Sequence, residues 1–509
     1  MNQTHQKNRS LNADEAQLVD SEANTLPLQH LTIKESKYDG DKSTFDPSRR
    51  NVDDRDCDMM ERETLLAPGP VKLTPSWESR NITNDELNFK NGLYREEKEP
   101  RDRLNLVYII LMLHGVGTLM PWNMFITAKP YFVDLKLSVS QNDTRAAEYR
   151  DNFLSYLGVA AQVPNVFFNG LNLFLHIGGG KLTKRITISI IVAILVFILT
   201  VILAVLDTSG WPEAFFYITM ISVVILNMAN GVYQNCVYGV AAKLPMKYLN
   251  AVVLGSNVSG TIASLISILS IAASPNLRTA AIYYFITAIF VLLVAVDTYF
   301  ALPLTRFYRY HEEISRQAQE ESKITSRRPP FWKIFKKTWR QCFNVFFVFF
   351  VTLTSFPAVQ GSIFAVDSNF FISSTYFIPV CCFLFFNLFA MIGNIFPNWV
   401  VWPGPRFLWI PVVSRILFIP FFMMCNYKPQ KRAFPVLISS DWAYIIVSMF
   451  HGLSSGYYSS LAMMYVPRCV EIKYASTAGM MGAFFLILGI FSGVNFSFFI
   501  SWLVETPIF

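Results

Sequence analysis

The sequence predicts an all-α polytopic membrane protein, and three observations carry the prediction. Hydrophobic residues make up 52% of the 509 residues and charged ones only 16%, less charge than a soluble chain of this length carries. Residues 186–206 contain no charge over a stretch that can cross a bilayer, which takes about 20 helical residues. Stretches of the same kind recur to the end of the chain, at 104–127, 152–176, 186–206, 213–241, 249–273, 279–302, 341–364, 372–400, 407–425, 441–466 and 475–503. That makes about eleven spans.

Residues 1–103 precede them and are rich in Asn, Asp, Glu, Lys, Ser and Arg. Such a composition buries too little apolar surface to offset ordering entropy, so a disordered cytosolic tail is expected. It lacks the apolar core of a cleavable signal peptide. It does hold Glu61-Arg62-Glu63-Thr64-Leu65-Leu66, an acidic dileucine pattern that sorting adaptors read. The pattern points to a lysosomal or endosomal membrane, with the plasma membrane as the competing address.

Six spans fill residues 104–303 and five fill 341–509, separated by a loop at 304–340. The loop carries Arg306, Arg309, Arg316, Lys323, Arg327, Arg328, Lys333, Lys336, Lys337 and Arg340, an excess that belongs in the cytosol. Basic loops also follow the second span (Lys181, Lys184, Arg185) and the fourth (Lys243, Lys247). These connections place the amino terminus inside and the carboxyl terminus outside or in a lumen. One loop disagrees: Lys428, Lys431 and Arg432 follow the ninth span, on the outer side. Asn142-Asp143-Thr144 forms a glycosylation sequon in the first outer loop. The arrangement of six plus five resembles major-facilitator-like transporters, whose two bundles rock around a site at the bilayer midplane.

The net charge of +7 sits in short loops between apolar segments, so it reads as membrane orientation and not as nucleic-acid binding. The seven cysteines show no CxxC spacing and fall mostly in apolar runs, where thiols act as small hydrophobes. Neither a metal site nor a cofactor is expected. No phosphate-binding lysine loop, HExxH or serine–histidine–acid grouping is present, so no enzyme is expected either.

Polar side chains within spans are the candidates for function, because each must face protein or a water-filled cavity. In the fourth span Asn227, Asn230 and Gln234 share one helical face, with Asn235 beside them. Amides donate and accept together, which suits a neutral ligand with mixed groups such as a nucleobase. The second span sets Gln162, Asn165 and Asn169 around Pro164 at the same spacing. The fifth presents Gly255, Ser256, Ser259 and Gly260, a surface for close helix packing. Structural roles are expected for Asp297 and Arg415, and hydrogen-bonded packing roles for His114 and His451.

Gly117-Thr118-Leu119-Met120-Pro121-Trp122-Asn123 with Phe125-Ile126-Thr127-Ala128 resembles the first-helix signature of the equilibrative nucleoside transporters. The resemblance continues through Phe356-Pro357-Ala358-Val359, Tyr376-Phe377-Ile378-Pro379-Val380, Pro403-Gly404-Pro405, Cys425-Asn426-Tyr427-Lys428-Pro429, Gly456-Tyr457 and Thr477-Ala478-Gly479. It implies facilitated diffusion of nucleosides or nucleobases through the lipid bilayer by alternating access. It also implies that Trp122 and Ile126 wall a central cavity with Asn123 nearby, and that Gln234 bonds the base. Gln162 and Asn165 would line the cavity from the second helix, and Phe356 would touch the permeant from the seventh.

The eighth helix departs from the family pattern. Where the family has Asn-x-Phe-Asp-x-x-Gly-Arg, this chain reads Asn387-Leu388-Phe389-Ala390-Met391-Ile392-Gly393-Asn394. Hydrogen bonds to charged groups contribute about 1.5–3 kcal/mol each, so losing the aspartate and arginine removes strong ribose contacts. One reading has Asn165, Asn387 and Asn394 supplying neutral contacts instead. The alternative is a non-transporting receptor or scaffold, or a carrier of another small polar solute, on the same fold.

Overall fold

A computed structural model describes residues 99–137, 149–150, 153–175, 182–273, 276–323, 329–367 and 370–506. Glu61, Leu65, Leu66 and Asn142 lie outside the described residues.

Helices form where the apolar runs fall. They are α1 (Leu106–Thr127), α2 (Phe153–Leu175), α3 (Leu182–Val205), α4 (Pro212–Ala241), α5 (Met246–Ala273) and α6 (Leu277–Ala301), then α7 (Phe331–Ser355). After these come α8 (Ser374–Asn398) and α9 (Trp409–Met424), and finally α10 (Asp441–Tyr465) and α11 (Ile472–Glu505). Among the described residues, eight helices are long and apolar enough to cross a membrane: α1, α3 to α8, and α11. The other three fall short for visible reasons. α9 is brief, α2 carries four amides, and α10 carries a run of serines. Length and hydropathy therefore do not by themselves establish the expected eleven crossings.

Local chemistry fixes several ends. Asp102 turns back over a bend where Leu104 and Asn105 take positive φ, and its carboxylate accepts from the N–H groups of Val107 and Tyr108 at 3.2 and 3.3 Å. These are among the donors that a helix start leaves unpaired. Asn276 accepts from Arg278 N–H at the start of α6, and Ser440 from Ala443 N–H at the start of α10. Lys136 donates to the carbonyls of Leu203 and Leu206 at the end of α3, where the helix dipole favours a cation. Along α3, Ile188, Ile191, Leu195, Ile198, Ile202 and Val205 form an exposed stripe at helical spacing, a face made for lipid.

The helices pair in a pattern that repeats between the halves. In the first six, α1 packs on α5 and α2 on α4; in the last five, α7 packs on α11 and α8 on α10. Across the halves, α5 meets α8 and α10, while α11 meets α2 and α4. The sequence shows no such repeat, yet the packing does. Small residues sit at corresponding places in it. Gly115 and Gly255 let α1 and α5 touch backbone to backbone, as Gly489 and Gly493 do for α11 on α7.

A separate helix, Arg306–Lys323, occupies the segment expected as loop, and α7 begins at Phe331, well before residue 341. The loop helix buries Phe307, Tyr308, His311 and Ser315. Phe307 packs on Tyr248 of α5, whose hydroxyl donates to Asp102 at 3.0 Å. Glu99 Oε1 lies 3.3 Å from His311 Nε2. Burial pushes the His311 pKa down to about 4, so at neutral pH this is a carboxylate against an uncharged ring.

The cations of the dissenting loop are tied to their own surroundings. Lys428 pairs with Glu505 at 2.7 Å. Arg432 donates to the carbonyls of Cys425, Phe434 and Pro435. Exposed tryptophans gather at both ends of the spans: Trp332, Trp399, Trp402 and Trp409 at one, Trp211, Trp442 and Trp502 at the other. Such belts mark the two membrane interfaces.

Candidate functional site

The amides of α2 and α4 divide into two sets. Asn235 donates through Nδ2 to Asn169 Oδ1 and to the Met480 carbonyl of α11, each at 2.9 Å. Its Oδ1 accepts from Asn172, whose own Oδ1 accepts from Arg185 at 2.9 Å. This network fastens α2, α3, α4 and α11 together. Asn227 bonds back to the Val223 carbonyl within its own helix.

Gln162, Asn165, Asn230 and Gln234 form the other set. Each is buried, at 8%, 6%, 7% and 5% exposure. No hydrogen bond reaches any of these four side chains among the described residues, and Asn165 Oδ1 and Asn230 Oδ1 are fully enclosed without a partner. The two helices cross closely there, because the Asn165 carbonyl lies 2.7 Å from where a β-carbon on Gly231 would stand. Gly231 sits between Asn230 and Gln234 in sequence, so the crossing sets Asn165 of α2 against that stretch of α4. Buried amides without partners are rare, since each unmet donor or acceptor costs about 1–3 kcal/mol. A polar ligand bonded at the crossing would remove that cost.

On α1, Trp122 is half-buried against the core and Ile126 is half-buried one turn further on. Asn123 donates to Ser259 of α5 at 3.1 Å. Asn387 of α8 packs against the next residue of α5, Gly260, and donates to Ser264 at 3.3 Å. The small-residue stretch of α5 thus holds an amide from each half on adjacent residues. Phe356 ends α7 and stacks on Phe386 with ring centres 3.9 Å apart, with Phe383 edge-on at 5.6 Å.

Asn394 is set deeper than a cavity wall. It is fully buried, accepts from Ser460 of α10 at 2.9 Å and donates to the Val253 carbonyl of α5. Ala390 is likewise buried against Gly456 of α10. The two replaced positions on α8 therefore serve contacts among α5, α8 and α10.

Arg415, His451 and His114, expected in structural and packing roles, each centre a polar grouping whose partners the sequence did not reveal. Arg415 of α9 donates to the carbonyls of Val348 and His451 and to Thr352 and Ser454, joining α7, α9 and α10. His451 Nδ1 lies 2.9 Å from Gln360, which accepts from Ser448 at 3.1 Å. His114 Nδ1 lies 2.8 Å from the Tyr233 hydroxyl. Each histidine joins helices, as a packing role requires. The serines and threonines around Arg415 were the available signal, but their partners lie far apart in sequence. Among the described residues no group of His, Cys, Asp or Glu could hold a metal ion, and the described cysteines are all free.

Among the described residues, apolar helices packed as two related sets, eight of them able to cross a bilayer, define a polytopic membrane protein of transporter type. A family model described as nucleoside transporter matches residues 220–502, more than half of the chain. Equilibrative nucleoside transporter 1 of Homo sapiens is 33% identical over 79% of this chain and 98% of its own. Equilibrative nucleoside transporter 3 of Rattus norvegicus is 31% identical over 78% of this chain and 89% of its own. A plant relative, equilibrative nucleotide transporter 1 of Arabidopsis thaliana, is 27% identical over 85% and 96%. The chain belongs to the equilibrative nucleoside transporter family.

Proposed function

We propose that this protein carries nucleosides, and nucleobases with them, down their gradients by alternating access. Family membership gives the reaction class, and the unengaged amides of α2 and α4 support a reading of the chemistry. Gln234 and Asn230 would pair with the edge of a base, which alternates donors and acceptors. Trp122 and Phe356 would cover its faces through stacking. Gln162 and Asn165 would close the site from α2, with Ile126 at its rim and Asn123 and Asn387 held nearby on α5. Asn394 would act by setting α8 against α5 and α10. The paired helices of the two halves would rock about α5 and α11, which bridge them.

The basic loops support an amino terminus in the cytosol with eleven crossings, and hence a carboxyl terminus outside or luminal. Glu61, Leu65 and Leu66 support capture by sorting adaptors and residence in lysosomal or endosomal membranes. Changing both leucines to alanine would then move the protein to the plasma membrane.

Vesicles reconstituted with the full chain, loaded with unlabelled uridine and given labelled uridine or adenosine outside, test the transport reading. Saturable exchange that needs no ion gradient is expected, and Gln234→Ala should lower it at equal protein content. Exchange of neither nucleoside by the well-folded chain would sink the proposal.

A further inference from the structure

The first three turns of α7 read Phe331-Trp332-Lys333-Ile334-Phe335-Lys336-Lys337-Thr338-Trp339-Arg340 and show three different faces. Ile334, Thr338 and Gln341 point inward, where Gln341 donates to the Pro405 carbonyl at 2.7 Å. Lys333, Lys336, Lys337 and Arg340 are exposed and stand three and four residues apart, on one side of the helix. Trp332 and Trp339 are exposed on the third face, with Lys336 Nζ 5.7 Å from the Trp332 ring and the Arg340 guanidinium 5.8 Å from that of Trp339. Phe343, also exposed, continues the aromatic stripe down the helix.

Beside the cations lies a shallow cleft open to the surface, lined by Lys333, Ile334, Lys337, Val470, Glu471 and Tyr474. Its one carboxylate, Glu471, pairs with Lys473 at 2.6 Å and also lies in the field of Lys337 and Lys333, so an incoming phosphate would share those two cations with it. Trp332 belongs to the belt with Trp399, Trp402 and Trp409, which sets the cleft at the level of lipid headgroups.

A positively charged loop would satisfy the orientation rule in any conformation. Here the cations are instead ordered along a rigid helix, next to a cleft and above an exposed apolar stripe. We propose that the cleft between the start of α7 and the start of α11 binds the headgroup phosphate of an anionic phospholipid. Lys333 and Lys337 face the phosphate with the Tyr474 hydroxyl as a further donor, and the acyl chains lie along Trp332, Trp339 and Phe343. The lipid joins the ends of α7 and α11 on the side that the basic loops assign to the cytosol, where anionic lipids are enriched. The site stands apart from the amides of α2 and α4, so its failure would leave the transport reading untouched.

The test uses the full chain in nanodiscs of phosphatidylcholine alone or with added phosphatidylserine or phosphatidylinositol bisphosphate. Bound lipid is counted by native mass spectrometry and stability is read by thermal unfolding. Anionic lipid should be retained and raise the melting temperature. Lys333→Gln with Lys337→Gln should weaken its binding roughly thirtyfold, about fivefold per lysine. Lys333→Arg with Lys337→Arg should keep it, and Lys428→Gln with Lys431→Gln, at the opposite end, should leave it unchanged. Three results would overturn the proposal: equal retention of phosphatidylcholine, undiminished binding by the glutamine pair, or the same stabilisation from inorganic phosphate or a soluble inositol phosphate.

Discussion

A β-carbon added to Gly456 of α10 would fall inside the carbonyl oxygen of Ala390 on α8. The two helices touch backbone to backbone at the position where the family pattern has an aspartate. Gly456→Ala must therefore push α8 away, and overpacking of this kind costs about 1–3 kcal/mol. The variant should melt at lower temperature in detergent. Gly404→Ala should melt like the parent, because a β-carbon there meets nothing within 4 Å.

Restoring the family's charges on α8 follows the same geometry. Ala390→Asp alone puts an unpaired carboxylate where only 1% of the residue is exposed, and Asn394→Arg alone displaces the Ser460 bond. Either single change should lower stability strongly. Together the charges face one another one helical turn apart. The double variant should lose less than the sum of the singles, by about 0.5–3 kcal/mol of coupling. Additive losses in thermal unfolding would mean that the two positions do not meet.

Neighbours on α4 should behave in opposite ways. Asn235→Leu removes bonds to Asn169, Asn172 and Met480. Each orphaned partner costs about 1–3 kcal/mol, so the variant should unfold more readily. Gln234→Leu removes no bond among the described residues, and it should keep its melting temperature while uptake falls. A loss of stability in both variants would contradict the division between the two sets of amides.

The loop helix should loosen in acid. The His311 pKa is held near 4, below the ordinary 6.5 of an exposed histidine. Above 6.5 the ring is neutral whether the helix is docked or not, and docking is complete. As pH falls from 6.5 towards 4, only the undocked state takes up a proton, so docking weakens over that window. Protection of the amides across Arg306–Lys323, with exchange rates corrected for their intrinsic pH dependence, should therefore fall between about pH 7 and pH 5. In His311→Phe the change should vanish.

Continuous apolar runs made the spans legible: the expected 213–241 and the observed Pro212–Ala241 differ by a residue. The start of α7 was hidden because its first turns carry four cations, which read as loop until their three faces are seen in space. Periodicity placed Asn227, Asn230 and Gln234 on one side of α4, but only tertiary contacts show that Asn227 bonds its own helix and the other two do not. Asn394 looked like a ligand contact by its place in a motif, yet Ser460 and Val253 take up its amide. Lys428 and Arg432 stood against the other loops in the charge pattern, and a charge count does not reveal that Glu505 and nearby carbonyls engage them.

The amides proposed for the site, Gln162, Asn165, Asn230 and Gln234, carry no charge. A phosphorylated solute entering such a crossing would give up its water and gain no counter-ion, a loss of several kcal/mol. The carrier itself would run equally well in both directions. Once a kinase had acted on the solute, however, the product could not return by the route it came. Direction in the cell would then be imposed by chemistry on the far side of the membrane, with no energy spent by the transporter.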